Sequence, residues 1–123
     1  MADRTLDRCR ILLVEDEYLL ADELATELTD RGATVLGPVP NVAAALALIA
    51  GDEPVNGAIL DVNLGGELAF PVADVLLKRG VPVILTTGYD AAALPERFRH
   101  LPRCEKPVSI ARITAALSRV VHA

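Results

Sequence analysis

Polar side chains of three chemical kinds stand at the ends of aliphatic runs in this sequence. Ile11 to Val14 runs into Glu15-Asp16, Ala58-Ile59-Leu60 into Asp61, Val81 to Leu85 into Thr86-Thr87, and the short Arg103 to Glu105 segment into Lys106. Two or three carboxylates gathered in one small site repel one another unless a cation joins them. Hard oxygen ligands in that number suit Mg²⁺, which takes one or two carboxylates and keeps several waters. A lysine beside them adds a compact positive charge, and a threonine hydroxyl adds one hydrogen bond to an oxyanion. Asp61 stands out, because a charged group inside Ala58-Ile59-Leu60-Asp61-Val62 is costly if merely structural. A carboxylate can act as a nucleophile toward phosphorus and give an aspartyl phosphate. Cation, lysine and threonine would then hold the charge on the phosphoryl oxygens in transit. The chemistry pointed to is phosphoryl transfer, and Gly88 beside Thr87 keeps the approach open.

Elements that could bring these residues together follow from the hydrophobic pattern, which reads βαβαβαβαβ. The buried run Ile11 to Val14 is a first strand, and from Tyr18 to about Arg31 the leucines 20, 24 and 28 mark one helical face, with Gly32 as a left-handed stop. Thr34 to Val39 reads as strand two. Asn41 suits the N-cap of a helix bearing Val42, Ala45, Leu46 and Ile49 and closed by Gly51. Ala58 to Val62 is strand three. Pro71 suits a first helical turn whose buried side is Val72, Val75, Leu76 and Leu77, with Gly80 before a fourth strand, Val81 to Thr86. Gly32, Gly51 and Gly80 are thus expected to punctuate three helices alike. Between Gly88 and Pro102 the pattern weakens to a brief helix around Pro95 to Arg99. Arg103 to Glu105 is a very short fifth strand, and Ile110, Ile113, Leu117 and Val120 give a last helix. Strands alternating with helices require right-handed crossovers and a parallel sheet covered on both faces, a doubly wound α/β domain that binds ligands beyond its strand C-termini.

Composition narrows the functional classes. The 123 residues suit one domain over 1–123, with residues 1–9 as an N-terminal lead, and 52% apolar residues are enough for a core that 3% aromatics must leave aliphatic. Twelve Lys and Arg against seventeen Asp and Glu give a net charge of −5, the wrong sign for binding a nucleic-acid backbone. No apolar run approaches the ~18–20 residues of a membrane span, and Met1 to Arg10 resembles neither a signal nor a transit peptide, so the expected location is cytoplasmic. Cys9 and Cys104 form no CxxC pair and have only His100 and His122 as metal companions. Both are expected to be reduced and structural.

Over essentially its whole length the sequence resembles the receiver domain of two-component response regulators, a CheY-like family. The resemblance rests on Val14-Glu15-Asp16-Glu17, Leu60-Asp61-Val62-Asn63-Leu64, Thr87-Gly88 and Lys106-Pro107, in the family's order and near its spacing. It implies a flavodoxin-like (βα)5 fold with strand order 2-1-3-4-5. It also implies that Asp61 accepts a phosphoryl group from a histidine kinase or phosphotransfer protein. Asp16, Asp61 and the Asn63 carbonyl would hold Mg²⁺, Glu15 would act through water, and Thr87 and Lys106 would hold the phosphoryl oxygens. Lys106-Pro107 would be a cis bond. The chain would then be no enzyme in the ordinary sense but a single-domain regulator, monomeric or weakly dimeric, that signals by phosphorylation-dependent binding to a downstream protein. The Thr87-Gly88-Tyr89 segment is similar to a subfamily with a Phe-Ala-Thr-Gly signature, whose members pair with HWE-type kinases, although Leu85 and Thr86 replace its Phe and Ala.

Two further features depart from the family pattern. Arg103 occupies the position of an aromatic that swings inward on activation, Tyr89 is the nearby aromatic that could substitute for it, and the stretch from Thr87 to Lys106 is short, which bears on the fourth helix. Taken singly, each site residue has an ordinary reading. Asp61 could cap a turn through Asn63 and Gly65, Glu15-Asp16 could serve a helix N-terminus, Thr87 could be a plain strand residue, and Lys106 could be surface charge. Their coincidence favours the site. A phosphate sink draining a shared kinase fits the same chemistry. A small Mg²⁺-dependent phosphatase would need an acid where Asn63 stands, and a flavin carrier would be repelled by Glu15-Asp16-Glu17.

Overall fold

A computed structural model describes residues 5–88 and 94–122. Along the chain lie β1 (Arg10–Val14), α1 (Tyr18–Asp30), β2 (Thr34–Val39), α2 (Val42–Ala50), β3 (Gly57–Asp61), the two-residue strands β4 (Asn63–Leu64) and β5 (Glu67–Leu68), α3 (Phe70–Lys78), β6 (Val83–Thr87), β7 (Arg103–Glu105) and α4 (Ile110–Val121). Five strands form one parallel sheet in the order β2-β1-β3-β6-β7, the doubly wound flavodoxin-like arrangement. β3 and β6 are buried along their whole length, as continuous aliphatic strands covered on both faces should be. Alternate strand residues feed two cores. Ile11, Leu13, Ile59 and Ile84 pack with Leu24 and Leu28 of α1 and Ile113 and Leu117 of α4. Leu12, Val14, Leu60 and Leu85 pack with Ala45 and Ile49 of α2 and Val72 and Leu76 of α3. The pairings Val14↔Leu60, Asp61↔Thr86 and Thr87↔Glu105 bring the strand C-termini level, so the polar residues predicted at those ends share one pole of the molecule.

Several details differ from the sequence reading. Gly32 and Gly80 do stop helices at positive φ, +97° and +74°, but Gly51 has φ −70° and ψ 176°, because the chain leaves α2 in an extended path that needs no left-handed residue. The N-terminal lead is in part core. Leu6 is fully buried and its N–H donates to the Arg31 carbonyl at 3.0 Å, while the His122 ring meets the Thr5 carbonyl through Nε2. β3 and β6 are shifted by one or two residues from their predicted bounds. The antiparallel pair β4–β5 went unpredicted. Lys106-Pro107 is cis, as the resemblance implies, and so is Gly37-Pro38.

The weak stretch before Pro102 holds, among its described residues, a 3-10 turn over Glu96–Phe98. Leu94, Phe98 and Leu101 are buried in the sheet face that α2 and α3 also cover. Phe98 stacks on Phe70 at 5.2 Å between centroids, and Arg97 makes a two-pronged bond to Asp74 of α3 at 2.9 and 3.0 Å. Tyr89, weighed above as a substitute switch, lies outside the described residues. Among the described residues no helix is long and apolar enough to cross a membrane.

Candidate functional site

The carboxyl ends of β1, β3, β6 and β7 surround a cleft of about 560 Å³ lined by Asp16, Asp61, Asn63, Thr87 and Lys106. The sheet dictates this convergence, since Asp16, Asp61, Thr87 and Lys106 each stand at or just beyond the carboxyl end of one of its parallel strands. Asp61 is 2% exposed and Glu15 3% exposed, so two carboxyl groups are held almost out of water side by side. Oxygens of Glu15, Asp16 and Asp61 all lie within 4.8 Å of one another. The Asn63 N–H donates to Oδ1 of Asp61 at 3.1 Å, and the Lys106 ammonium donates to Oδ2 at 2.7 Å. The same ammonium stands 3.8 Å from Oε1 of Glu15 and 4.0 Å from Oε2 of Glu17. Thr87 is buried at the end of β6.

The electrostatics are those of a site short of positive charge. Burial, reinforced by the neighbouring Asp61 carboxyl, pushes Glu15 up to about 8, against the opposing pull of the Glu17 N–H, which donates to its Oε2 at 3.1 Å. Lys106 is partly buried, which works against its charge, yet its hydrogen bond to Asp61 and the nearby charges of Asp61, Glu15 and Glu17 hold its ammonium above the usual lysine value. Oε1 of Glu15 is buried and finds no hydrogen-bond partner among the described residues. Buried acceptors without donors, and several carboxylates facing one ammonium, are the donor set that a hard divalent cation satisfies. The residues fit Mg²⁺, with Glu15, Asp16 and Asp61 as the groups able to hold it.

All the predicted site residues therefore reach one pole. Glu15, Asp16, Asp61 and Lys106 stand in mutual contact or close to it, Asn63 touches Asp61 through its backbone, and Thr87 lines the same cleft. Glu15 is thus one of the three carboxylates gathered there. Three things escaped the sequence reading. Glu17 adds a third carboxylate within 4.0 Å of Lys106, beside Glu15 and Asp61, which the acid run Glu15-Asp16-Glu17 signals. Thr86, level with Asp61 in the sheet, buries a hydroxyl that finds no hydrogen-bond partner among the described residues, and nothing in the residue type announces this. Tyr18 and Leu19, 80% and 71% exposed, begin α1 at the rim, where Leu19 borders a second cleft shared with Lys106 and Pro107. A periodicity reading records only which face of α1 is buried, so it passes over apolar residues left outside.

No protein-family model matches the chain. Among solved structures it is similar to SdrG from Sphingomonas melonis Fr1, with 39% identity and a TM-score of 0.78 over 94% of this chain and 97% of that one. The BeF3-activated conformation of SdrG matches at 40% identity and a TM-score of 0.71, covering 96% and 99%. A response regulator receiver protein from Sinorhizobium medicae shares the fold at a TM-score of 0.79 with 24% identity, covering 94% and 95%. The transcriptional regulatory protein PdtaR of Mycobacterium tuberculosis is 28% identical over 98% of this chain, which spans 60% of that protein's length.

Proposed function

The chain belongs to the response regulator receiver family, and from that premise we propose that Asp61 accepts a phosphoryl group from a histidine kinase or phosphotransfer protein. An oxygen of Asp61 attacks phosphorus. The new O–P bond forms as the bond from phosphorus to the donor nitrogen breaks, and the electron pair leaves on the donor imidazole. The observation that carries this reading is the Lys106 ammonium 2.7 Å from a carboxylate that is 2% exposed and stands among other carboxyl groups at the sheet's C-terminal pole. Bound Mg²⁺ would draw negative charge from the phosphoryl oxygens and relieve the repulsion among Glu15, Asp16 and Asp61. Lys106 holds the acceptor oxygen in place and meets the incoming charge. Thr87, buried at the lip of the cleft, offers a hydroxyl to it. The chain is then a phospho-acceptor with no turnover of a free substrate.

The consequence of phosphorylation is electrostatic. A phosphoryl group adds charge where carboxylates already outnumber cations, so Lys106 and Thr87 are drawn to it and the loops after β3 and β6 shift between two arrangements. The output is binding to a downstream protein through the surface of residues 94–101 and α4. A protein donor seats on Tyr18 and Leu19, apolar groups that water would otherwise cover at the cleft rim.

The test is intact mass after incubation with Mg²⁺ and acetyl phosphate or beryllofluoride, comparing wild type with Asp61→Asn. A Mg²⁺-dependent gain of one phosphoryl group or one beryllofluoride, absent in the variant, is the expected result. No adduct on wild type under any of these conditions would sink the reading.

A further inference from the structure

The connection from β3 to α3 is a closed hairpin, and its outer strand is fastened to a helix that takes no part in the cleft. The Ala69 N–H donates to the Val62 carbonyl at 2.9 Å, and Asn63 pairs with Leu68 and Leu64 with Glu67. Gly65 and Gly66 turn the chain with φ +65° and +100°, the two positive values that a two-residue hairpin turn demands. Asn63 is fixed from two sides, its N–H on Asp61 at 3.1 Å and its side-chain Oδ1 accepting from the Gly66 N–H at 2.6 Å. The tip of the turn lies against the acidic site, where a Cβ on Gly65 would stand 3.4 Å from Oδ2 of Asp16. On the far side, Oε1 of Glu67 accepts from the Val42 N–H at 3.1 Å. Val42 is the first residue of α2, whose cap Asn41 separately accepts from Ala44 at 2.8 Å. Glu67 thus supplies an acceptor for a second unpaired donor at the helix start and sets a negative charge at the positive end of its dipole.

We propose that Glu67 is a positioning residue: by tying the hairpin to the N-terminus of α2 it fixes where Asn63 and the turn stand relative to Asp16 and Asp61, and so sets how well the acidic site holds Mg²⁺ and receives phosphorus. The inference rests on the receiver reading above. Without the tie, the hairpin keeps its own backbone bonds and the burial of Leu64 in the core, but its outer strand, Glu67–Leu68, loses its fastening to α2 and the turn it carries is free to shift. A shift of the turn moves the Asn63 backbone, which touches Asp61, and loosens the packing of Gly65 against Asp16. The site loses preorganisation while the fold is spared.

Two variants break the same bond from opposite ends. Glu67→Ala removes the acceptor. Val42→Pro removes the donor at a first helical position where proline is well tolerated, after an Asn41 already extended at φ −148° and ψ 168°. Mg²⁺ affinity is read by calorimetry, phosphorylation by acetyl phosphate by mass, and the freedom of the hairpin by amide exchange at Leu68. Each variant should bind Mg²⁺ about fivefold more weakly and show faster exchange at Leu68, with little change in melting temperature. That loss is smaller than the ~10- to 100-fold seen for groups touching a metal ligand, because Glu67 acts one strand further out. The double variant should be no worse than either single one. Glu67→Gln, which keeps an acceptor, should stay within about twofold of wild type, since a neutral, weaker bond still ties the hairpin to α2. Variants that melt lower yet bind Mg²⁺ and take phosphorus as wild type does would overturn the proposal and leave Glu67 a mere strut. Divergence between the two single variants would also overturn it. If wild type itself neither binds Mg²⁺ nor gains mass, the receiver reading fails first and this inference with it.

Discussion

The two connections that flank the cleft, one after β3 and one after β6, are secured by opposite means. The first closes on itself through backbone bonds from Val62 to Ala69 and turns on two glycines. The second holds, over residues 94–101, a 3-10 turn and is held down by side chains: Leu94, Phe98 and Leu101 are buried, Phe98 stacks on Phe70, and Arg97 pairs with Asp74. A backbone ladder keeps its own bonds when a surface side chain is altered, even where, as at Glu67, that side chain sets how the ladder is seated, whereas a segment held by buried side chains and an exposed ion pair loosens as those contacts are lost. The β3 wall of the cleft is therefore the stiffer one within itself, while the wall begun by Thr87 and Gly88 leads on to a segment held by side chains and is the releasable one. A module that must hold an acceptor steady and also answer to its charge can assign the two tasks to different walls.

The comparison can be broken most severely at Phe98. Phe98→Ala empties a fully buried ring position, and urea unfolding should show a loss of about 3–5 kcal/mol. If only the second wall depends on it, the refolded variant still takes a phosphoryl group from acetyl phosphate. Next in size is the stiff wall. Gly65→Val forces a β-branched residue to φ +65°, costing about 1–2 kcal/mol, and crowds Oδ2 of Asp16, so Mg²⁺ binding should weaken along with stability in denaturant melts. At the root of the movable wall, Thr86→Val replaces a buried hydroxyl that has no partner among the described residues by a methyl of the same shape. Denaturant titration should show unchanged stability or a gain of up to about 1 kcal/mol. A clear loss there would mean that the hydroxyl is engaged after all. The smallest effect belongs to Asp74→Asn. Arg97 holds the Asp74 carboxyl below its usual range, but both side chains are about half exposed, at 48% and 57%. The melt should barely move, and not at all in high salt, while amide exchange in residues 96–101 quickens.

Much of this is legible in the sequence, and the reason is that parallel strands buried on both faces leave an unusual signature. Ile11–Val14 and Ala58–Leu60 can hardly be anything but central strands, so the acids that end them had to meet at one pole. What was not legible depends on contacts that span the chain. The Arg97–Asp74 pair joins residues far apart in sequence, and no local pattern marks either as the other's partner. Leu6 looked like part of a lead because a lone leucine among charged residues carries no periodicity, yet the groove beside Arg31 takes it in. The β4–β5 hairpin had a local sign, Gly65-Gly66 between two strand-compatible pairs, but strands of two residues are too short for alternation to register. Gly51 shows the converse, a glycine whose position after a helix suggested a left-handed stop that the backbone did not use.

The pairing of His122 with Thr5 has a consequence for engineering. The strands run toward the cleft, and α4 runs back away from it, so the two ends of the described chain meet at the opposite pole. A chain whose ends adjoin can be spliced into a longer polypeptide at a single point, or cut elsewhere and rejoined there by a short linker, with little distortion. Fluorophores or whole proteins attached at Thr5 or His122 would sit on the side remote from Asp61, and a circularly permuted version opened in the loop before β3 should still fold and still offer an unobstructed acceptor.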